Sequence, residues 1–223
     1  MHVSDCILII LISFAIGSIP FGVLLAKAFG LADPRTIGSG NIGATNMLRT
    51  GRKDIAALTL VLDALKGVVP ILLAWQFFSV DESHTYGCFN PSGGGCGPVW
   101  VLDSKLAALA MLSALIGHCY TPWLKGKGGK GVATALGGAF ALSWPVGIAF
   151  CCSWLLAFLF TRWVSVASIV GLAVIPLVTW LRLDGTTALI TAIAAAIGIW
   201  RHRENIKRLR AGTEPKMMGK KHA

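Results

Sequence analysis

Three short stretches of this chain combine glycine, serine, asparagine and basic residues in patterns that could do chemistry. They are TIGSGNIGATN at 36–46, KGKGGKGVAT at 125–134 and RHRENIKRLRAGTE at 201–214. Glycine has no β-carbon, so backbone N–H groups in such loops can converge on an anion, while lysine and arginine add positive charge. The pattern is therefore typical of phosphate binding.

The two glycine-rich loops also imitate nucleotide-binding motifs. Residues 38–43 and 126–131 both fit G-x-G-x-x-G, but that fingerprint has meaning only between a strand and a helix of a βαβ unit, and here each loop follows an apolar segment. A Walker A motif is also missing, because no G-K-[S/T] occurs in the sequence. For either loop alone, glycines that serve only helix packing remain an open alternative.

The composition places the chain among membrane proteins. Its 223 residues are 55% hydrophobic and only 13% charged, with a mean hydropathy of +0.70, which is too apolar for a soluble domain of this size. The net charge of +10 lies in clusters between apolar runs, a distribution that the positive-inside rule explains better than nucleic-acid binding. We expect one membrane-embedded domain over residues 1–223, with no nucleic-acid partner.

Six apolar segments follow one another along the chain. They cover 6–29, 55–79, 104–122, 133–160, 165–181 and 186–200. A helix needs about 20 residues to cross a bilayer, so the fourth segment is long for one crossing, and Ser143-Trp144-Pro145 lies in its middle. The first segment lacks a basic n-region, carries Asp5 in front of it, and is predicted to be a retained span rather than a signal peptide.

The distribution of charge predicts how many crossings there are. Basic clusters follow the first, third and last apolar segments: Arg49, Arg52 and Lys53, then Lys125, Lys127 and Lys130, then the tail from Arg201 to Arg210. If all three clusters are cytoplasmic, an even number of crossings must separate Lys130 from Arg201. Splitting the fourth segment at 143–145 meets this condition. The prediction is an all-α integral membrane protein with seven transmembrane helices, the N-terminus outside and the C-terminus cytoplasmic.

The same parity predicts the position of several loops. It places the acidic residues Asp81, Glu82, Asp103 and Asp184 outside, and Arg162 and Ser165 at the cytoplasmic face. The piece over 133–143 is short, because about 11 residues rise about 17 Å, so a full crossing and a re-entrant helix both remain open.

Cysteine usage does not indicate a disulfide scaffold or a metal site. Cys88 and Cys96 lie in the polar loop 80–103, where a disulfide and two free thiols are equally plausible. The other four cysteines lie in or near apolar segments and are interpreted as small hydrophobic residues. No His/Cys cluster has zinc spacing, so we expect no metal.

Ionisable residues near or within apolar segments add a second, weaker indication. Asp63 and Lys66 lie three residues apart in the second segment, where they can form a helix-orienting ion pair, a structural role that we favour over catalysis. His118 ends the third segment and is a secondary candidate. In the tail, His202 and Asn205 are three apart and share one helix face, which suits either a polyol phosphate or an anionic lipid surface.

Taken together, the motifs resemble a known family over nearly the whole chain. GSIPFG at 17–22, GSGNIGATN at 38–46, LDALKG at 62–67, GKGGKGVAT at 126–134 and RHRENIKRLRAGTE at 201–214 are similar, in the same order, to motifs of the bacterial acyl-phosphate:glycerol-3-phosphate acyltransferases (the PlsY family). The resemblance implies transfer of a fatty acyl group from acyl phosphate to the 1-hydroxyl of glycerol 3-phosphate. The product would be lysophosphatidic acid, in the committed step of phospholipid synthesis. It also implies a seven-helix fold, in the bacterial inner membrane, with a cytoplasmic active site and no cofactor.

The resemblance also assigns roles to residues. The first motif would supply an essential serine and arginine at Ser39 and Arg49. The third motif would supply His202 and Asn205 for activity and Glu214 for integrity. The second motif would form the loop associated with glycerol 3-phosphate, at Gly128, Gly129, Lys130 and Gly131. We further expect Gly40, Asn41, Thr45, Asn46, Lys127 and Ser165 to bind substrate.

The predicted chemistry is consistent with sequences that are absent. No aspartate follows any histidine by five residues, and no G-x-S-x-G occurs, so neither the His/Asp pair of coenzyme A-dependent acyltransferases nor a covalent acyl-enzyme is indicated. Acyl phosphate is already activated, so the enzyme mainly has to bring two anionic substrates together. Whether His202 or the donor phosphate accepts the proton remains open. The rival hypotheses are a transporter or channel for a phosphorylated metabolite and a lipid-binding structural protein.

Overall fold

A computed structural model describes residues 3–81 and 100–217. The helices in chain order are α1 (Val3–Gly17), α2 (Phe21–Ala28), α3 (Ala44–Met47), α4 (Lys53–Phe78), α5 (Ser104–Cys119), α6 (Val132–Leu142), α7 (Trp144–Thr161), α8 (Val164–Arg182), α9 (Gly185–Trp200) and α10 (Arg203–Arg210). Short 3₁₀ turns follow α3 and α5, at Leu48–Thr50 and Pro122–Leu124. Two strands of two residues, β1 (Val80–Asp81) and β2 (Trp100–Val101), pair antiparallel. Apart from this pair, the described part of the chain is helical, as predicted.

Five helical segments are long and apolar enough to cross a membrane. They are Val3–Ala28, which contains α1 and α2, and Lys53–Phe78, Ser104–Leu124, Trp144–Thr161 and Val164–Arg182. Two shorter apolar helices, α6 and α9, accompany them. Cys88, Cys96 and Glu82, for which the sequence predicts positions outside the membrane, lie outside the described residues.

The fourth apolar segment is divided at the predicted place. Ser143 ends α6 and precedes α7, and Pro145 occupies the first turn of α7. Proline is tolerated there because an N–H in the first helical turn has no intrahelical acceptor. The 11 residues of α6 and the 18 residues of α7 are therefore separate helices.

The first apolar segment contains a break that the sequence analysis does not predict. α1 ends at Gly17 and α2 begins at Phe21, because Pro20 cannot donate a backbone hydrogen bond. Helix ends inside a membrane need other partners for their carbonyl groups. Thr121 Oγ1 donates to the carbonyl of Ser18 at 2.6 Å, and Lys66 Nζ donates to the carbonyl of Ile19 at 2.9 Å.

Small residues allow the helices to pack closely around α5, the most buried of the long segments. A β-carbon added at Gly17 would lie 2.1 Å from the carbonyl oxygen of Ala114 on α5, and one added at Gly67 would lie 2.1 Å from that of Thr134 on α6. Such contact between backbones is how membrane helices associate where lipid provides no hydrophobic drive. These two glycines therefore bring α1 against α5 and α4 against α6.

Asp63 and Lys66 form the predicted ion pair inside the bundle. Lys66 Nζ lies 2.8 Å from Asp63 Oδ1, and both side chains are almost completely buried. His118 Nδ1 lies 3.7 Å from the same carboxylate oxygen. Because Lys66 also reaches Ile19, the pair connects α4 to the break after α1 and to the end of α5.

Candidate active site

The first motif forms a loop that is organised by one buried amide. Asn46 Nδ2 donates to the carbonyl oxygens of Pro34 at 2.6 Å, Asn41 at 2.8 Å and Ile37 at 3.2 Å. Its Oδ1 accepts from the backbone N–H of Ser39 at 3.1 Å and from the Ser39 hydroxyl at 3.3 Å. Asn46 therefore shapes the loop and orients Ser39 from the inside.

Arg49 lies directly over this loop. A β-carbon at Gly38 would be 2.4 Å from Arg49 Cδ, and Gly38 has a φ of +52°, a conformation that glycine adopts easily. Glycine at this position therefore admits both the turn and the arginine side chain. Arg49 and Thr45 line a large cavity that extends from the loop between the helices.

The second motif packs tightly on the end of α5. The backbone N–H groups of Gly128 and Gly129 donate to the carbonyls of Cys119 at 3.2 Å and His118 at 3.0 Å. A β-carbon at Gly129 would lie 1.9 Å from His118 Nε2. These two N–H groups consequently do not point at a ligand, contrary to the expectation that they converge on an anion. The two glycines are needed for close approach.

The start of α6 lies at the wall of the large cavity, a few residues later in the chain. Gly131 has a φ of +78° and precedes α6, whose N-terminus has no side-chain cap. The first N–H groups of a helix have no intrahelical partner and carry partial positive charge. Gly131, Val132 and Ala133 line the large cavity, so this end of α6 offers its free donors to an anion.

His202 is buried at the junction of α9 and α10. Its Nδ1 lies 2.8 Å from the carbonyl oxygen of Gly198. Because a carbonyl only accepts, Nδ1 carries the proton and Nε2 is left as the acceptor. Burial, together with the positive charge of Lys130, lowers the pKa of His202 to about 4. The ring is therefore neutral at physiological pH.

A chain of short hydrogen bonds connects the second and third motifs. Lys130 Nζ donates to Asn205 Oδ1 at 2.6 Å, and Asn205 Nδ2 donates to Glu214 Oε1 at 2.6 Å. Arg208 Nε donates to the other carboxylate oxygen of Glu214 at 2.8 Å. Because each amide and carboxylate atom has a defined partner, Asn205 is fixed between a cation and an anion.

Burial and charge also set the protonation states of Lys130 and Glu214 in this series of hydrogen bonds. Burial lowers the pKa of Lys130 to about 8, although the negative charge of Glu214 opposes the shift. Burial alone would raise the pKa of Glu214, but hydrogen bonds from Asn205 and Arg208, with the hydroxyl of Ser165 nearby, lower it below its ordinary value. Glu214 is thus a carboxylate at neutral pH, and Lys130 is mostly protonated.

Two cavities adjoin at these residues. A small polar cavity of about 150 Å³ is lined by Ser39, Gly40, Asn41, Gly128, Lys130, Arg201, Arg203, Glu204, Asn205 and Arg208. A large cavity of about 670 Å³ shares Ser39, Asn41, Lys130, Asn205 and Arg208 with it, and includes His202, Ser165 and Glu214. Its other walls include the apolar side chains of Leu60, Leu136, Phe150, Trp154 and Leu155 from α4, α6 and α7. The large cavity therefore has a polar end and an apolar extension.

The structure brings most of the predicted site residues together, with three exceptions. Lys127 is exposed and lines neither cavity, and Gly129 is packed against His118. Lys66 lines neither cavity, whereas its partner Asp63 lies on the wall of the large one, as does His118. The predicted structural pair therefore reaches the site through Asp63.

Three arginines that the sequence does not single out as site residues line the small cavity, and two of them, Arg201 and Arg208, also hydrogen-bond to site residues. Arg208 lines both cavities and binds Glu214, and Arg201 lines the small cavity and binds the glycine loop. Helical spacing could have indicated both, because Arg201 and Arg208 lie four residues before and three residues after Asn205.

Comparison with known proteins identifies the class of enzyme that this fold and site define. A family model for glycerol-3-phosphate acyltransferase matches residues 7–212. The glycerol-3-phosphate acyltransferase of Roseobacter denitrificans is 47% identical over 211 residues, covering 94% of this chain and 93% of the relative. That of Erythrobacter litoralis is 44% identical over 210 residues, covering 94% of each.

Solved structures agree with these sequence matches. The crystal structure of PlsY, an integral membrane glycerol 3-phosphate acyltransferase, in its glycerol 3-phosphate form, matches with a TM-score of 0.79 at 34% identity, covering 95% of each chain. Its lysophosphatidic acid form matches with a TM-score of 0.78. The protein described here is a multi-pass membrane enzyme of the acyltransferase class. It belongs to the glycerol-3-phosphate acyltransferase family, so the transporter hypothesis is wrong.

Proposed function

We propose that this chain transfers a fatty acyl group from acyl phosphate to the 1-hydroxyl of glycerol 3-phosphate, releasing lysophosphatidic acid and phosphate. The observation that carries the proposal is the pair of adjoining cavities, one small and polar, the other larger with an apolar extension. Glycerol 3-phosphate is a small polyol anion that suits the first. An acyl phosphate needs both a polar end and an apolar channel, which the second provides.

Charge at the small cavity supports a phosphorylated acceptor. Its wall carries four basic side chains, Lys130, Arg201, Arg203 and Arg208, against one acidic side chain, Glu204. Two phosphate-bearing substrates repel each other, so a shared cationic boundary is required to hold them within reacting distance. Lys130 and Arg208 line both cavities and can neutralise both phosphates.

The donor phosphate belongs at the N-terminus of α6. Gly131, Val132 and Ala133 present the free N–H groups of the helix start there, and Lys130 precedes them. Negative charge grows on this phosphate as the acyl–oxygen bond breaks, so fixed donors at that place stabilise the transition state. The acyl chain then extends along Leu136, Phe150 and the rest of the apolar wall.

The transfer itself needs no acyl-enzyme. The acceptor's 1-hydroxyl oxygen attacks the acyl carbon, the bond from that carbon to the phosphate oxygen breaks, and the phosphate leaves with the electron pair. Ser39 Oγ is hydrogen-bonded to Asn46 and is assigned to orient the acceptor. The proton of the hydroxyl passes to the departing phosphate, which gains negative charge as the bond breaks and is therefore a stronger base than an imidazole whose pKa is held at about 4.

In this mechanism His202 accepts a hydrogen bond from the attacking hydroxyl and is not the general base. Its Nδ1–H is directed at Gly198, which aims Nε2 away from that carbonyl. A neutral imidazole can align the attacking hydroxyl by accepting its hydrogen bond. Asn205, held between Lys130 and Glu214, is assigned to the same alignment.

The proposed orientation places this site at the cytoplasmic face of the bacterial inner membrane. We assign the five long apolar segments, together with α6 and α9, to the seven predicted crossings, a count that agrees with the charge parity. The basic loops and the tail meet at a single end of the bundle, where Lys130 contacts Asn205. Glycerol 3-phosphate would enter from the cytoplasm and acyl phosphate from the lipid.

The decisive experiment compares acyl donors on purified protein in detergent. Palmitoyl phosphate with labelled glycerol 3-phosphate should give lysophosphatidic acid, whereas palmitoyl coenzyme A under matched conditions should give none above background. Asn205→Ala should lose most of the turnover, while Arg210→Ala, an exposed position outside both cavities, should retain it. Comparable rates with the coenzyme A ester would reject the proposed donor.

A further inference from the structure

Arg201 makes two hydrogen bonds to successive residues of the glycine loop. Its Nε donates to the carbonyl oxygen of Gly129 at 3.0 Å, and its Nη2 donates to that of Gly128 at 2.8 Å. The guanidinium carbon also lies 5.4 Å from the centroid of the Tyr120 ring. A planar fork that spans two carbonyls and lies over an aromatic ring has little freedom to move.

The loop that Arg201 holds is weakly determined by its own sequence. Residues 125–131 contain four glycines, and Lys125, Gly126 and Gly131 have positive φ. Glycine loses more conformational entropy on ordering than any other residue. Yet this loop carries Lys130, whose Nζ must meet Asn205 at 2.6 Å. Contacts outside the loop therefore have to fix its backbone.

Those contacts come from two sides. The N–H groups of Gly128 and Gly129 bind the end of α5, as described above. Their carbonyls bind Arg201, which adjoins His202 and lies one helical turn before Asn205. The guanidinium thus links the second motif to the residues of the third motif that face the cavities.

We propose that Arg201 is a positioning residue, whose forked guanidinium holds the carbonyls of Gly128 and Gly129 so that Lys130 meets Asn205 at the boundary of the two cavities. This inference deepens the proposed function and rests on it for the role of Lys130. The competing explanation is that Arg201, which lines the small cavity, acts on the substrate through its charge. The substitution Arg201→Lys distinguishes these two explanations, because lysine keeps the positive charge but lacks the forked guanidinium.

The first test measures kinetics of the full-length protein in detergent with palmitoyl phosphate and glycerol 3-phosphate. Arg201→Lys and Arg201→Gln should lose kcat/KM for glycerol 3-phosphate to a similar extent, about 10- to 100-fold, mainly through KM. Arg210→Lys, at the exposed end of α10, is the matched control and should be unchanged. The positioning role would be wrong if kcat/KM of Arg201→Lys stayed within about threefold of the parent while that of Arg201→Gln fell strongly. That result would mean that Arg201 acts through its charge.

The second test asks whether Arg201 acts through Lys130. In the background of Lys130→Ala, adding Arg201→Lys should lower kcat/KM little further, because the lysine that Arg201 positions is already missing. Losses that multiply in the double variant would mean that Arg201 acts independently, which contradicts the proposal. The same substrates and conditions apply to all four proteins of the cycle.

The third test reads the loop without any turnover. Hydrogen exchange of the amides at 125–131 should be faster in Arg201→Lys than in the parent, with α5 and α9 unchanged. Unchanged loop exchange, or faster exchange throughout the protein, would overturn the proposal. Failure of the proposed function is recognised separately, because then the parent protein itself would not acylate glycerol 3-phosphate.

Discussion

Lys130 Nζ and Asn205 Oδ1 lie 2.6 Å apart, although 75 residues separate them in the chain. This contact joins the loop after α5 to helix α10, and it lies where the small polar cavity meets the larger, partly apolar one. Lys130 therefore lines both of the proposed substrate cavities. The relationship explains why the second and third motifs must be built together.

The charge of Lys130 makes activity sensitive to alkaline pH. Burial lowers its pKa to about 8, so the ammonium is present below that pH and is lost as pH rises through it. We expect KM for glycerol 3-phosphate to rise above pH 8. Lys130→Arg should move this alkaline limb upward whatever its absolute rate, because arginine stays protonated. An unchanged limb in that variant would assign the titration to another group.

Substitution of His202 distinguishes a hydrogen-bonding role from a proton-accepting one. His202→Asn keeps one donor for the carbonyl of Gly198 and one acceptor, so it should retain appreciable kcat if the phosphate takes the proton. His202→Ala loses both and should fall further. The measurement is kcat across pH 6 to 9 for both variants. If His202→Asn folds and binds substrate but shows a kcat loss of about 10²- to 10⁴-fold, the histidine is the base.

Removal of one partner of the buried pair of Asp63 and Lys66 should destabilise the protein, because the other charge is then left buried without its partner. Asp63→Asn leaves the Lys66 ammonium without its 2.8 Å partner in the bundle, which should cost about 3 to 5 kcal/mol of unfolding free energy. The double variant Asp63→Leu with Lys66→Met should recover part of this loss, because neither charge remains. Thermal unfolding in detergent measures both. A single variant as stable as the parent would show that the pair is not needed.

Close packing of the glycine loop predicts intolerance of even one methyl group. A β-carbon at Gly129 would lie 1.9 Å from His118 Nε2, whereas one at Gly185 would meet nothing within 4 Å. Gly129→Ala should lower kcat/KM for glycerol 3-phosphate by at least about tenfold, because overpacking of about 1 to 3 kcal/mol shifts the loop that carries Lys130. Gly185→Ala is the matched control and should be silent. Equal activities would contradict the packing argument.

Membrane orientation can be tested with two engineered cysteines at opposite ends of α9. Thr186→Cys lies at the start of this helix, and Ala211→Cys follows α10, which continues from its other end. A membrane-impermeant thiol reagent should reach the first from outside and the second only from the cytoplasm, as charge parity predicts. Labelling of both positions from the same side would reject seven crossings.

Much of the architecture could be predicted because it depends on local chemistry. Pro145 indicates the start of a new helix because proline is tolerated in the first helical turn, and the apolar run around it is longer than the roughly 20 residues that one crossing needs. The division after Leu142 therefore follows from sequence, and α6 and α7 confirm it. Pro20 gives the same local indication, but the carbonyl groups freed at that break accept hydrogen bonds from Lys66 and Thr121, and a linear sequence does not reveal such distant partners.

The sequence by itself determined the class of protein, the three motifs and the kinds of group they contain, because hydropathy, charge and residue type are properties of the chain. Tertiary structure alone decided which way these groups face. Lys127 and Lys130 are both lysines of the same glycine-rich loop, and the sequence does not distinguish them. In the structure the chain turns at Gly131 into α6, Lys130 contacts Asn205, and Lys127 is exposed. Likewise, Gly128 and Gly129 turn their N–H groups to α5 and their carbonyls to Arg201. The direction in which a side chain or backbone group points depends on contacts between residues far apart in the chain, and only the folded structure supplies those contacts.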